Sequence, residues 1–141
     1  MNAYAVSIDI QAPADRVWSI MSDIRRWHEW TPSITSIRRL DEGPLRVGSR
    51  AMVRQPRLPP ALWRVTELEE GRHFSWVTGS PIARATGRHS VEPLASGSRA
   101  TLSLEFSGIL GAFFARLLDD INRRYLSMEA NGLKARSEGT S

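Results

Sequence analysis

The last third of the sequence contains the pattern that most limits the fold. From Ile109 to about Arg136, apolar residues recur at steps of three and four, which predicts one long amphipathic helix. The residues of this apolar stripe are Leu110, Phe113, Phe114, Leu117, Leu118, Ile121, Tyr125 and Met128. About 28 residues rising 1.5 Å each give a helix about 42 Å long. A helix of that length can cross a whole sheet, so we expect its stripe to pack against one.

The preceding segments predict that sheet and two short helices. Residues 4–10 alternate apolar and polar side chains, as a half-buried strand does. The next stretch, QAPADRVWSIMSD, has helical spacing after Pro13, and IRRWHEW gives a second short helical piece that ends before Pro32. Residues 34–107 contain roughly six strand-like segments, separated by the turn sequences DEGP, QPRLPP, EEGR, TGSP and ASGS.

This order of elements predicts an α+β fold in which a curved antiparallel sheet of about seven strands wraps a long C-terminal helix. Two short helices follow the first strand. We expect one domain over residues 1–136 and a frayed C-terminal tail over residues 137–141. Because one helix cannot fill a strongly curved sheet, concave space should remain between them, and such space is a common ligand site.

Charge and composition limit the partners. The chain has a net charge of +4, and 18 of its 19 basic residues are arginine. The arginines occur singly or in isolated pairs rather than in a long basic run, so a nucleic-acid partner is not favoured. The absence of cysteine excludes disulfides and thiolate metal sites. No apolar run reaches the length of a membrane span, and the first residues do not form a secretory signal, so we predict a cytoplasmic protein.

One histidine stands out in the strand TGRHSVEP. The alternation of this segment places His89 on the apolar side, together with Gly87 and Val91. A core imidazole that hydrogen-bonds a backbone carbonyl or a tyrosine is one interpretation. The other is a side chain that projects into the cavity and binds a ligand or transfers protons. The three histidines show no metal-binding spacing, so no metal and no other cofactor is predicted.

Several stretches resemble a known family. They are IDIQAPADRVWSIMSDIRRWHEWTPSI, WRVTELEEGRHFSWVT, GRHSVEPL and RRYLSMEANGLKARSE. In their order along nearly the whole chain they resemble the polyketide cyclase and START-related lipid-transfer superfamily (SRPBCC), whose members share the helix-grip fold. The resemblance implies an internal apolar cavity between the sheet and the long helix. Ligands in that superfamily include lipids, sterols, plant hormones and polyketide intermediates.

The leading hypothesis is therefore a binding protein for a small hydrophobic or amphipathic ligand, with His89 and Tyr125 as polar anchors. The predicted lining residues are Trp30, Trp63, Trp76, His89, Phe114, Leu118, Ile121 and Tyr125. A second hypothesis is a cyclase or dehydratase that uses His89 as acid and base, which requires another titratable group within hydrogen-bond reach. A third is a module that binds protein or RNA. The chain is expected to be a monomer or a homodimer.

Overall fold

A seven-stranded antiparallel sheet organises the computed structural model, which describes residues 3–139. Its strands are β1 (Ala3–Ile10), β2 (Ser36–Arg39), β3 (Arg50–Arg54), β4 (Ala61–Glu69), β5 (His73–Ser80), β6 (Ala83–Pro93) and β7 (Ser98–Ser107). Their order across the sheet is β1-β7-β6-β5-β4-β3-β2, so the first strand closes onto the last and the others form a meander. The predicted helix-grip architecture is confirmed.

Two short helical segments follow β1, as predicted. The helix α1 (Ala14–Ser22) begins directly after Pro13, whose carbonyl accepts hydrogen bonds from the backbone N–H groups of Arg16 and Val17. A 3₁₀ helix (Ile24–Glu29) comes next and buries Trp27 beneath the sheet. The indole N–H of Trp27 donates to the carbonyl of Met21 at 3.0 Å, which satisfies the one polar atom of this large buried side chain.

The C-terminal helical region is interrupted, and the prediction of one continuous helix is wrong. It consists of α2 (Gly111–Leu117) and α3 (Asp119–Glu138), with Leu118 between them at φ −103° and ψ 16°. The helical spacing of the apolar residues continues across the break, because two backbone hydrogen bonds span it. The Leu118 N–H donates to the carbonyl of Phe114, and the Leu118 carbonyl accepts from the N–H of Asn122. The break lets α2 pack on the ends of β6 and β7 while α3 runs along β1 and β7.

The end of α3 is held by polar contacts, so the predicted frayed tail starts too early. Ser137 is buried, and its carbonyl accepts a hydrogen bond from Arg16 Nε at 2.6 Å. Glu138 accepts one from the backbone N–H of Gln11 at 2.7 Å. The scarcity of apolar residues at the end of the sequence carries no information about these two hydrogen bonds. Residues 140–141 of the predicted tail lie outside the described residues.

The helices cover the sheet unevenly. The helix α3 packs against β1 and β7, and α1 packs against β6 and β7. The close approach of α3 to the 3₁₀ segment depends on Gly132, where an added Cβ would lie 2.0 Å from the carbonyl oxygen of Trp30. The inner faces of β3, β4 and β5 receive less helical cover, and the space there forms the candidate site.

Candidate ligand cavity

A cavity of about 90 Å³ lies between the inner face of the sheet and α3. Strands β3 to β7, the 3₁₀ helix, the loop 55–60 and α3 all contribute side chains. The lining residues are Trp27, Ile34, Val53, Gln55, Leu58, Trp63, Trp76, Gly87, His89, Ser103, Leu104, Asn122, Tyr125, Leu126 and Glu129. Most of this wall is apolar or aromatic, and its polar groups come from the loop 55–60, β6, β7 and α3, as in many small-molecule sites.

Aromatic rings form the sheet side of the cavity. Trp76 lies 5.3 Å from Trp27 and 5.3 Å from Trp63, measured between ring centroids. Gly87, opposite Trp76 in the next strand, makes this packing possible because a Cβ at that position would lie 3.0 Å from Trp76 Nε1. Flat walls of this kind offer extensive contact to a flat apolar molecule at little cost in side-chain entropy.

His89 is paired with a carboxylate on the opposite side of the cavity. Its Nε2 lies 2.9 Å from Oε1 of Glu129, and the two side chains are only 6% and 13% exposed. The imidazole stacks on Phe74 with a centroid distance of 4.6 Å and an interplanar angle of 11°. Nδ1 is buried and has no hydrogen-bond partner within residues 3–139. The expected partner, a backbone carbonyl or a tyrosine, is thus replaced by Glu129.

The cavity wall offers little positive charge to a ligand. Among the described residues its one basic side chain is His89, which already pairs with Glu129, and neither arginine nor lysine lines the cavity, although the whole chain has 19 such residues. A ligand carboxylate or phosphate would therefore lack a cation to pair with, and burying an unpaired charge costs a great deal of free energy. The cavity is suited to a neutral ligand.

The loop 55–60, of sequence QPRLPP, closes the cavity at one end. The Tyr125 hydroxyl donates a hydrogen bond to the carbonyl of Pro56, and Gln55 Nε2 donates to the carbonyl of Ser33 at 3.2 Å. Leu58 points into the cavity lining. Arg57 has a φ of 68°, a left-handed backbone conformation that residues other than glycine rarely adopt. Only a few contacts hold this loop, so it is the part of the wall best able to move.

The structure brings four of the eight predicted lining residues together: Trp63, Trp76, His89 and Tyr125 line the cavity. The other four lie elsewhere. Trp30 packs on Trp27 and borders a separate surface depression beside Arg16 and Arg136. Phe114 and Leu118 precede α3 around the helix break, and Ile121 is half-buried in its first turn. These three residues precede the part of α3 that lines the cavity, which begins at Asn122.

Sequence reasoning missed four polar lining residues, which are Gln55, Ser103, Asn122 and Glu129. Glu129 follows Tyr125 by four residues, and Asn122 follows Leu118 by four, so both belong to the face of α3 that turns toward the sheet. For these two residues the helical spacing was the available signal. Asn122 is 5% exposed, and its side-chain nitrogen has no hydrogen-bond partner in the described part of the chain.

Two classes of feature are not found within residues 3–139. No helix there combines the length and the apolar character needed to cross a membrane. No group of three or more histidine, aspartate or glutamate side chains there is arranged to hold a metal ion.

Comparison with solved structures identifies the fold class. A Streptomyces aromatase/cyclase, Zhui, superposes with a TM-score of 0.77 at 17% identity, covering 96% of this chain and 93% of that one. A START superfamily protein from Mycobacterium smegmatis gives 0.74 at 17%, covering 96% and 97%. A Helicobacter pylori protein described as hypothetical gives 0.78 at 15%, covering 96% and 86%. At these identities the likeness shows a shared fold alone.

The sequence itself places the chain in a family. The family model described as "Polyketide cyclase / dehydrase and lipid transport" matches residues 1–138. The chain belongs to this family, and the predicted superfamily is confirmed. A search of curated proteins finds no significant match. Family membership supports binding of a ligand or cyclase-type chemistry without deciding between them.

Proposed function

We propose that the protein binds a neutral, flat, largely apolar molecule in this cavity and catalyses proton transfer on it. The buried pair of His89 and Glu129 in the cavity wall carries this proposal. It supplies the second titratable group that the enzymatic hypothesis required, at 2.9 Å from the imidazole. Histidine and a carboxylate held together in this way form a general acid and base.

The pair can serve a cyclisation or a dehydration. A base removes a proton from the carbon next to a ketone, the electron pair moves to form the new double bond, and the hydroxyl on the neighbouring carbon leaves as water. The proton taken from carbon returns to that departing hydroxyl, so one pair that accepts and releases a proton completes the reaction. Glu129 orients the imidazole, and the second oxygen of its carboxylate makes no hydrogen bond to a described residue. Removing either group should cost about 100-fold or more in rate.

The cavity must widen before a multi-ring molecule can enter. Its volume is about 90 Å³, whereas sites for drug-sized ligands occupy about 300–1,000 Å³. The loop 55–60 is the wall segment that can open, because the bond from Tyr125 to Pro56 and the bond from Gln55 to Ser33 are its main polar contacts. Buried Nδ1 of His89 also becomes reachable only when the rings around it move.

The small volume of the cavity and the burial of Nδ1 of His89 also support a second candidate function, which is binding without chemistry. A carrier holds its ligand in a cavity, and neither a small cavity nor a buried imidazole nitrogen requires catalysis. In this alternative His89 and Glu129 only orient a ligand hydroxyl. The two candidates differ in whether the pair changes the ligand, so one set of variants distinguishes them.

Binding is tested first, with naphthol and naphthoate as neutral and anionic molecules of similar shape. Titration calorimetry should show naphthol binding and at least tenfold weaker binding of naphthoate, because the wall lacks a cation. His89→Ala should weaken naphthol binding while unfolding stays cooperative. No binding of naphthol to the wild type, or equal binding of both molecules, would contradict the proposed ligand class.

Catalysis is tested with a β-hydroxy aryl ketone, whose dehydration gives an enone with strong ultraviolet absorbance. We expect turnover by the wild type and loss of about 100-fold or more in Glu129→Gln, which keeps a hydrogen-bond acceptor but no base. His73→Gln is the matched control, because His73 lies 3.5 Å from Glu69 in an exposed pair far less buried than the candidate site. Naphthol binding without turnover would leave the carrier function and refute catalysis.

A further inference from the structure

One end of the molecule carries a cluster of exposed apolar side chains, here called the α2 patch. Its members and their exposed fractions are Ile82 (53%), Ile109 (85%), Leu110 (40%), Phe113 (59%) and Leu117 (64%). Phe113 and Leu117 lie four residues apart on one face of α2, and Ile109 lies in the turn that precedes this helix. The backbone N–H of Leu110 donates to the carbonyl of Ile82 at 2.8 Å. The turn between β5 and β6 is therefore adjacent to the start of α2.

The side of α2 that faces the sheet already packs against it, so the exposed side chains of the patch are not part of the core. Gly111 and Ala115 are buried against the ends of β6 and β7, and the carbonyl of Ala115 accepts a hydrogen bond from Tyr4. The large side chains of the same helix point the other way. Large apolar side chains that cluster on the surface of a folded domain, rather than occurring singly, indicate an interaction site.

Three arginines belong to the end of the molecule that carries the patch. Arg116 lies on α2, Arg84 lies two residues after Ile82, and Arg57 lies in the loop at the same end of the sheet. None of the three forms an ion pair with another described residue. The acidic residues closest along the chain are already paired: Asp119 with Arg123, Asp120 with Arg124, and Glu105 with Arg88. This end of the molecule thus combines the apolar patch with positive charge that no described acidic side chain pairs, which fits an anionic surface and would repel a second copy placed against it.

Strand register fixes the position of the patch relative to the cavity. The pairs Val53 with Ala61, Ser80 with Ala83, and Arg84 with Ser107 bring three connections to one end of the sheet. These are the loop 55–60, the turn at 81–82 and the segment 108–110 that leads into α2. The loop that closes the cavity therefore lies at the same end as the apolar patch.

We propose that this end of the molecule docks on an anionic lipid bilayer. Phe113, Leu117 and Ile109 enter the boundary between headgroups and acyl chains, as the apolar face of an interfacial helix does. Arg57, Arg84 and Arg116 contact the lipid phosphates, each adding about fivefold to binding near an anionic surface. This docking is independent of the chemistry proposed for His89 and Glu129.

Flotation of the full chain with vesicles tests the proposal. The protein should float with phosphatidylcholine–phosphatidylglycerol vesicles, float less with phosphatidylcholine alone, and dissociate as salt is added. Leu117→Ser should reduce binding about tenfold. Its control is Val47→Ser, since Val47 is 59% exposed in the loop between β2 and β3 at the opposite end of the sheet. Arg116→Gln should reduce binding about fivefold, and Arg72→Gln, on an exposed arginine in the β4–β5 turn, should not.

Circular dichroism and thermal melting show whether each variant is folded, and exposed positions should tolerate these changes. Absence of flotation by the wild type on both vesicles would overturn the proposal. Equal loss in Leu117→Ser and Val47→Ser would overturn the placement of the docking surface. Sedimentation that shows a concentration-dependent dimer abolished by Leu117→Ser, with no vesicle binding, would assign the patch to self-association instead.

Discussion

Replacing His89 and Glu129 by leucine, singly and together, tests the energetic account of the cavity pair. His89→Leu leaves the Glu129 carboxylate in the cavity wall without its partner, at a side chain only 13% exposed. Glu129→Leu leaves the imidazole Nε2 without a hydrogen-bond partner. The double variant removes both polar groups at once. Because burial penalises a lone polar group far more than a matched apolar pair, the three variants should differ strongly.

The magnitudes follow from the loss of one partner of a buried pair. Removing one partner typically costs about 3–5 kcal/mol, because the other charged or polar group is left buried alone. We expect His89→Leu to cost about that much, and Glu129→Leu about 1–3 kcal/mol for the polar atom it leaves unpaired. The double variant should lie within about 1 kcal/mol of wild type or exceed it.

Urea unfolding measures all three variants, and the double-mutant cycle gives the coupling between the two sites. His73→Leu is the control, because its pair with Glu69 is exposed and should contribute less than about 0.5 kcal/mol. A double variant no more stable than His89→Leu would show that the pair is not coupled. A loss below about 1 kcal/mol in His89→Leu would show that Glu129 is not left buried without a partner.

Three further predictions concern other parts of the molecule. Gly132→Ala should lower the free energy of unfolding by about 2 kcal/mol or more in chemical denaturation, because the new Cβ would lie 2.0 Å from the Trp30 carbonyl oxygen. A gain in stability, which helix propensity alone predicts, would contradict this contact. Burial raises the pKa of Asp41, but hydrogen bonds from the backbone N–H of residue 50 and from neighbouring side chains outweigh it and hold the pKa below its usual range. Its stabilisation is therefore present above about pH 4 and lost below, so Asp41→Asn should unfold more easily at pH 7 and show a smaller loss of stability on acidification. Tyr125→Phe should release the Pro56 carbonyl and speed naphthol exchange in stopped-flow fluorescence, and an unchanged rate would exclude this bond as the latch.

The sequence predicted the fold well because the fold depends on periodicity. Alternation in residues 4–10, turn chemistry between the later strands and the three-and-four stripe of the C-terminal region each specify an element locally. The break at Leu118 escaped prediction because one residue with altered backbone angles leaves the helical spacing of its neighbours intact. The tertiary contacts that fix the last turn of α3, from Arg16 and Gln11, join residues more than 120 positions apart.

The site was harder to predict because it depends on contacts between elements that are distant in the sequence. Alternation along β6 placed His89 on the inner side, and the stripe of α3 placed Tyr125 toward the sheet. Neither pattern fixes which residue of the helix meets which residue of the strand. The pairing of His89 with Glu129, 40 positions away, depends on the position of α3 along the sheet. Tyr125 was a reasonable candidate partner, but its hydroxyl reaches the loop at Pro56 instead.

The cost of the cavity pair is itself an argument about function. Replacing a buried ion pair with apolar side chains of similar size is often neutral or stabilising, so stability alone gives no reason for His89 and Glu129 to lie in an aromatic wall. Within residues 3–139, Nδ1 of His89 and the side-chain nitrogen of Asn122 have no hydrogen-bond partner, which adds further cost. Departures from good core chemistry that gather on one cavity are typical of functional sites, where a ligand or a reaction uses the exposed capacity. Packing alone would have filled this space with apolar side chains, such as the Ala130, Leu133 and Ile10 that are buried elsewhere on α3 and β1.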